Sequence, residues 1–312
     1  GTEITVRELD SSMIPTGNTF TGTIDDNTGS FGIKGTLTSK IVELAADGFY
    51  FNEVSGSLSS AKLSLQAFSD LTDSSSVNVN LMTHLEKKRV EYLMDNSKMT
   101  FAAAKTQAQT EILKIFNIEN VTLGNSETLD ISKSGDGNAV LLAISAILQS
   151  DKTEAELTEL LSTINTDIRT DGTLDSTNTK ATLVTASNYL KWRHPTIRTN
   201  IESRYSNLGI SASIPAFESY ICNLATEECP LASWELVTSS ASWGNRSEHS
   251  VLAYNNKLWL MGGYTGDCNT WYNDVWYSTD GENWTKATSN AGWSGRGDLA
   301  TVVFDSKMWV LG

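Results

Sequence analysis

The last third of the chain repeats itself at a spacing of fifty residues. Trp234 matches Trp284, Trp243 matches Trp293, and Arg246 matches Arg296. Tyr254 matches Phe304, Lys257 matches Lys307, Trp259 matches Trp309, and Gly262 matches Gly312. No insertion separates the two copies. Between the matched positions lie strand-like segments: Lys257-Leu-Trp-Leu-Met-Gly-Gly263 and Asn273-Asp-Val-Trp-Tyr277. Ser278 to Trp284 then carries Asp280-Gly281, a strong hairpin signal. A fixed period of this length marks an architecture of stacked units, each burying its apolar face against a neighbour.

The residues at these positions resemble the Kelch repeat, whose period is about fifty. Arg246-Ser-Glu-His249 precedes a strand, and the strand from Lys257 ends in the glycine pair Gly262-Gly263. Glycines there let the backbones of neighbouring blades approach. The tryptophans fill the space between blades. The turn at Ser278 to Trp284 is similar to the Asp-box of sialidase-like propellers, a structural turn. A propeller needs typically 4–8 blades to close. Residues 233–312 hold one full repeat and about half of another, which predicts an incomplete Kelch-type β-propeller and a fragment of a longer protein.

The preceding residues read differently. Residues 1–70 alternate apolar and polar over Ile4 to Leu9. Turn signals follow at Pro15 to Asn18, Asp25 to Gly29 and Ala46 to Gly48. Short strands are expected at Phe31–Ile33, Ile41–Leu44, Phe49–Phe51 and Leu63–Leu65, which together suggest a small antiparallel β-sandwich. Residues 77–209 switch to a helical period and predict an α-helical bundle of five or six helices. Asn80 or Thr83 can cap the first, with Thr83-x-x-Glu86 as a capping box; Thr100 caps the second, and Thr153-x-x-Glu156 opens another. Ala139 to Leu148 is apolar all round and belongs at the centre. Pro195 opens the last helix, and Gly209 stops it. Residues 210–232 read as a linker with a cysteine loop. The strand order and turns of residues 1–70 resemble carboxypeptidase-regulatory (transthyretin-like) domains, which are non-catalytic modules. The whole series is similar to bacterial cell-surface lipoproteins. That resemblance implies a location at the outer membrane, with a lipid-bearing cysteine upstream of Gly1.

Composition narrows the function. Net charge is −14, so phosphate backbones are repelled and nucleic-acid binding is disfavoured. No apolar run reaches the roughly 18 residues of a membrane-spanning helix. The three histidines, His84, His194 and His249, are far apart, and the cysteines form no C-x-x-C pair. Cys222 and Cys229 form a disulfide if the protein is extracellular and are free thiols otherwise. Asp130 with Asp136, and Asp167 with Asp171, place carboxylates beside glycines in a way that invites calcium, but both stretches lack the Glu at the twelfth position. Helix-capping turns account for them more simply. No G-x-S-x-G, P-loop or H-E-x-x-H motif is present, and no catalytic residue or cofactor is assigned. The expected function is therefore non-enzymatic: binding of a protein partner or a glycan at the cell surface, as a free adhesin or as an accessory subunit of an outer-membrane complex. Tyr264 and Trp271, which have no repeat partner within the chain, are the candidate contact residues. Trp243 and Trp293, which recur, are expected to pack between blades. The alternative is a carbohydrate-active or galactose-oxidase-like enzyme whose catalytic blades lie beyond residue 312.

Overall fold

A computed structural model describes residues 2–24, 26–226, 237–266 and 269–312. The chain divides into two compact units, Gly1–Leu231 and Ala232–Gly312.

In the first unit, β1 (Thr2–Leu9), β2 (Pro15–Ile24), β3 (Ile41–Gly48) and β6 (Leu63–Asp70) form one antiparallel sheet in the order β2-β1-β3-β6. A short pair, β4 (Phe51–Asn52) and β5 (Ser57–Leu58), stands apart. Alternation assigns the two faces. Ile4, Val6, Val42, Leu44 and Ala67 point one way and are covered by Phe31, Ile33 and Leu37. Leu9 and Phe68 point the other way and pack on Val90, Leu93, Ala104 and Ala108 of the first two helices. The second layer is thus made of a loop segment and helices where the sequence suggests a second sheet. Phe31–Ile33 is not a strand, and further along the same loop Thr38 and Ser39 are tied to a side chain of β1. Glu8, buried in β1, accepts hydrogen bonds from Thr38 N (2.7 Å), Thr38 Oγ1, Ser39 N and Asn18 Nδ2 (2.6 Å). The expected turn at Pro15 to Asn18 also shifts. Pro15 begins β2, an edge strand where its missing N–H costs no ladder bond. The turn lies before it, where Asp10 Oδ1 accepts from Ser12 N and Ile14 N.

The helices are α1 (Leu81–Asp95), α2 (Phe101–Ile115), α3 (Asp136–Gln149), α4 (Glu154–Asp167), α5 (Thr177–Leu190), α6 (His194–Asn207) and the short α7 (Glu218–Cys222). Asn80 caps α1 and makes its box with Thr83. The Thr83–Glu86 box does not form, because Glu86 is turned inward. With Glu127 it holds the ammonium of buried Lys105, each carboxylate at 2.8 Å. Thr100 caps α2, and the Thr153–Glu156 box opens α4 as the spacing predicts. α3 is buried from Ala139 through Gln149 and forms the centre of the main core. Helix α5 has no apolar run to announce it. Ser176 caps it, and Leu183, Ala186 and Leu190 bury one stripe. Gly209, at φ 69°, ends α6. Part of the expected linker is packed as well: Phe217 and Ile221 are fully buried in the same core.

In the second unit, β7 (Ser250–Tyr254), β8 (Lys257–Met261), β9 (Val275–Ser278) and β10 (Trp284–Thr288) form an antiparallel sheet in chain order. β11 (Ala300–Phe304) and β12 (Lys307–Leu311) form a separate hairpin. Among the described residues these make one four-stranded blade and one two-stranded piece, and no closed propeller.

The anchoring of the 31–39 segment predicts a pH response. The hydrogen bonds from Thr38 and Asn18 lower the Glu8 carboxyl from 4.5 to about 2. Its contribution to stability is therefore present above about pH 4.5 and is lost as pH falls toward 2. Urea midpoints of wild type and Glu8→Gln, followed from pH 7 to pH 2, should differ most at neutral pH and converge at the acid end.

Candidate functional site

The blade is organised by a buried arginine. Arg246 precedes β7, and its guanidinium bonds both oxygens of Asp274 at 2.7 and 3.2 Å. It also donates to Gly262 O (3.0 Å) and Trp243 O (3.1 Å) and lies over the Tyr272 ring at 4.0 Å. Its side chain is 1% exposed and that of Asp274 10%. Burial works to raise the Asp274 carboxyl, but hydrogen bonds from Arg246 and Trp276 outweigh it and hold the group below the usual range. One planar fork thus fixes three segments at once: the stretch before β7, the end of β8 and the start of β9.

The second copy reproduces these bonds. Arg296 donates to Gly312 O as Arg246 does to Gly262 O. Trp259 Nε1 donates to Tyr254 O at 3.1 Å, and Trp309 Nε1 to Phe304 O at 2.9 Å. Asn255-Asn256 and Asp305-Ser306 all have φ between 50 and 56°, so both hairpins turn with two left-handed residues. Gly262 has φ 67°, and a Cβ there would lie 2.2 Å from Leu299 Cδ2 and 2.7 Å from Arg296 O. This is the close approach between repeats that the glycine pair predicts. The β9–β10 turn is closed by Ser278 and Asp280. Asp280 Oδ1 accepts from Asn283 N (2.8 Å) and Glu282 N (3.0 Å), and Trp284 Nε1 donates to Gly281 O (3.0 Å). These bonds, led by those from Asn283, hold the Asp280 carboxyl far below its ordinary value.

At one end of the blade the connecting loops are knitted together. Tyr264 exchanges both backbone bonds with Ser247, and Tyr272 N donates to Gly263 O. Arg296 N donates to Tyr272 O, and Asp298 N to Glu248 O. On these loops the structure brings Tyr264 and Trp271 into contact, with ring centroids 4.8 Å apart. Tyr264 Oη donates to Glu248 Oε1 at 2.6 Å. Trp271 is 50% exposed. Its backbone is held from behind, since a Cβ at Gly295 would lie 2.3 Å from Trp271 O. The pair is a fixed aromatic surface with an acidic neighbour. Glu248 was not singled out from the sequence, although the repeat carries its signal: Asp298 stands fifty residues on, and both have positive φ, 54 and 52°.

Trp243 and Trp293 sit differently. Trp243 packs edge-on against Trp284 at 6.0 Å, and Trp293 packs against the cluster of Met261, Val275 and Leu299. His249 lies 5.6 Å from Trp243, and burial together with Arg246 lowers its pKa.

These shared bonds decide the kind of unit present. Residues 245–290 match the Kelch motif. No curated protein and no solved structure matches the chain. The Kelch match spans β7 to β10, the whole four-stranded blade.

Elsewhere, Asp130 Oδ1 accepts from Ser132 N (2.9 Å) and its other oxygen pairs with Lys133 (3.0 Å). Asp136 is the first residue of α3. Asp167 accepts from Asp175 N and Ser176 N, and Asp171 from Thr173 N. Each pair of carboxylates is divided in this way: Asp130, Asp167 and Asp171 are taken up by local turns, and among the described residues no group of three or more His, Cys, Asp or Glu is placed to hold a metal. Cys222 is disulfide-bonded. Cys229 lies outside the described residues.

Arg246→Ala leaves Asp274 as an unpaired buried carboxylate and should destabilise the second unit by about 3 kcal/mol. Arg296→Ala removes bonds to neutral acceptors, the carbonyls of Ser294 and Gly312 and the Ser294 hydroxyl, and should cost under about 1 kcal/mol. Eight of the 9 tryptophans lie at or beyond residue 234, so denaturation followed by tryptophan fluorescence reads this unit directly.

Proposed function

We propose that the chain is a non-enzymatic binding protein that takes a protein partner on the loop end of its Kelch blade. The observation that carries this reading is the aromatic pair. Trp271 is half-exposed, yet its ring packs at a tilt against Tyr264 and its backbone is wedged against Gly295. A large aromatic side chain held rigid before binding loses little entropy on association, which is the character of an interface hot spot. Kelch motifs commonly mediate protein–protein interaction, which favours a protein over a glycan. The disulfide at Cys222 supports an oxidising, extracytoplasmic setting. The acidity of the chain, −14, disfavours nucleic acid as a partner. We infer a position at the cell surface, in the service of an outer-membrane complex.

Panning a displayed peptide library against the full chain tests this. Binders should be enriched, and Trp271→Ala should weaken them by about 2 kcal/mol, roughly thirtyfold in Kd. Trp192→Ala, which removes an exposed tryptophan of the first unit, should leave them unchanged. Retention on a glycan array with no peptide enrichment would replace the protein partner by a sugar. Equal binding by wild type and Trp271→Ala would move the interface elsewhere.

A further inference from the structure

The first unit contains a cleft of about 610 Å³. It lies between the β4–β5 end of the sheet region, residues 28–31, and helices α3 and α6. A second cavity of about 540 Å³ shares Tyr50, Phe51, Glu53 and Tyr205 with it. Volumes of this size suit a small organic ligand. Much of the wall is apolar, contributed by Leu63, Leu65, Leu141 and Leu157.

Two polar side chains of this lining are out of balance. Glu53 and Gln149 are buried, 8% and 3% exposed, and Gln149 Nε2 donates to Glu53 Oε2 at 2.6 Å. That bond leaves Gln149 Oε1 buried and without a hydrogen-bond partner. No Lys or Arg among the described residues forms an ion pair with Glu53. The cleft itself is lined by no Lys or Arg, and Arg204, in the lining of the second cavity, lies over the Phe51 ring at 5.3 Å and donates to Asn27 O at 2.8 Å. The other carboxylate of the cleft, Asp130, is taken by Ser132 and Lys133. A buried acceptor without a donor and a buried carboxyl without a cation are both costly. Burial accordingly raises Glu53 to about 7. Of the two, the Glu53 carboxyl lines both cavities, and it calls for N–H donors carrying positive charge. Tyr50, Phe51 and Tyr205 add aromatic groups in the same lining, and aromatic faces attract cations.

We propose that this cleft binds an alkyl- or arylalkyl-ammonium compound, with its N–H group donating to the Glu53 carboxylate and its apolar body against the leucines. The site is separate from the Kelch blade and does not depend on the function proposed for it.

Isothermal titration of the full chain with n-octylammonium, octan-1-ol and octanoate at pH 8.5 tests the assignment. n-Octylammonium should bind one to one, with octanoate at least tenfold weaker. Glu53→Gln should weaken n-octylammonium at least tenfold while far-UV circular dichroism stays that of wild type. Equal affinity for octanoate and n-octylammonium, unchanged affinity in Glu53→Gln, or no binding heat at millimolar n-octylammonium would each overturn it. Should Glu53→Gln fail to fold, Leu65→Trp narrows the cleft from its apolar wall and keeps the Glu53 carboxyl in place. It should abolish binding, and retained binding in that variant would overturn the proposal equally.

Discussion

A single guanidinium sets the geometry of the Kelch blade. Arg246 carries a charge into a nearly dry site, and that is tolerable only because every direction of its fork is occupied. Asp274 neutralises it, the carbonyls of Trp243 and Gly262 accept from it, and Tyr272 covers its face. The strands alone do not dictate where the loops at that end go; the arginine does, by joining the approach to β7 with the exit of β8 and the entry of β9. The surface bearing Tyr264 and Trp271 is built on those same loops. Its rigidity is inherited from a charge pair that no ligand would touch.

The first unit rests on a different constraint. α3 is apolar on all sides and must be surrounded. α1, α4, α5 and α7 supply the surroundings, while the sheet is held against α1 and α2 through Phe68 and Leu9. Two of the buried polar groupings in this unit differ in kind. Lys105 with Glu86 and Glu127 contains its own cation, one ammonium shared by two carboxylates. Glu53 with Gln149 has no cation at all, and it borders open space. A closed network reads as structure, and an open one beside a cavity reads as a place for something to bind.

The sequence was most legible where a side chain does the same job twice. Trp259 and Trp309 each close their hairpin onto a carbonyl five residues back, so the fifty-residue spacing reports a repeated bond and not merely a repeated letter. Capping was nearly as clear, since Thr100 and Thr153 act within three residues of themselves. Alternation in β1 and β3 marked a buried face but could not say what buries it, which is why a sandwich was expected where a loop segment and helices are found. Charged residues were read as solvated, so the inward turn of Glu86 and Lys105 had no local signal. α5 escaped because its stripe of three apolar residues is set in threonine, serine and asparagine. At the candidate site, Tyr264 and Trp271 were singled out as loop aromatics with no repeat partner within the chain, the positions fifty residues on lying past residue 312. Their packing depends on the bridge between Ser247 and Tyr264, a contact across seventeen residues that spacing alone does not reveal.

The burial of α7 bears on how the protein is made. Phe217 and Ile221 complete the wall around α3, yet they are translated some seventy residues after it. Until they leave the ribosome, the most apolar helix of the chain lacks one of its covers. The first unit therefore cannot finish folding as its sheet and early helices appear, and an intermediate with an exposed flank must persist through synthesis of α4, α5 and α6. The Kelch blade, which follows directly, is extruded as that flank is being sealed. A chaperone acting on this protein would find its target on the nascent chain between those two events.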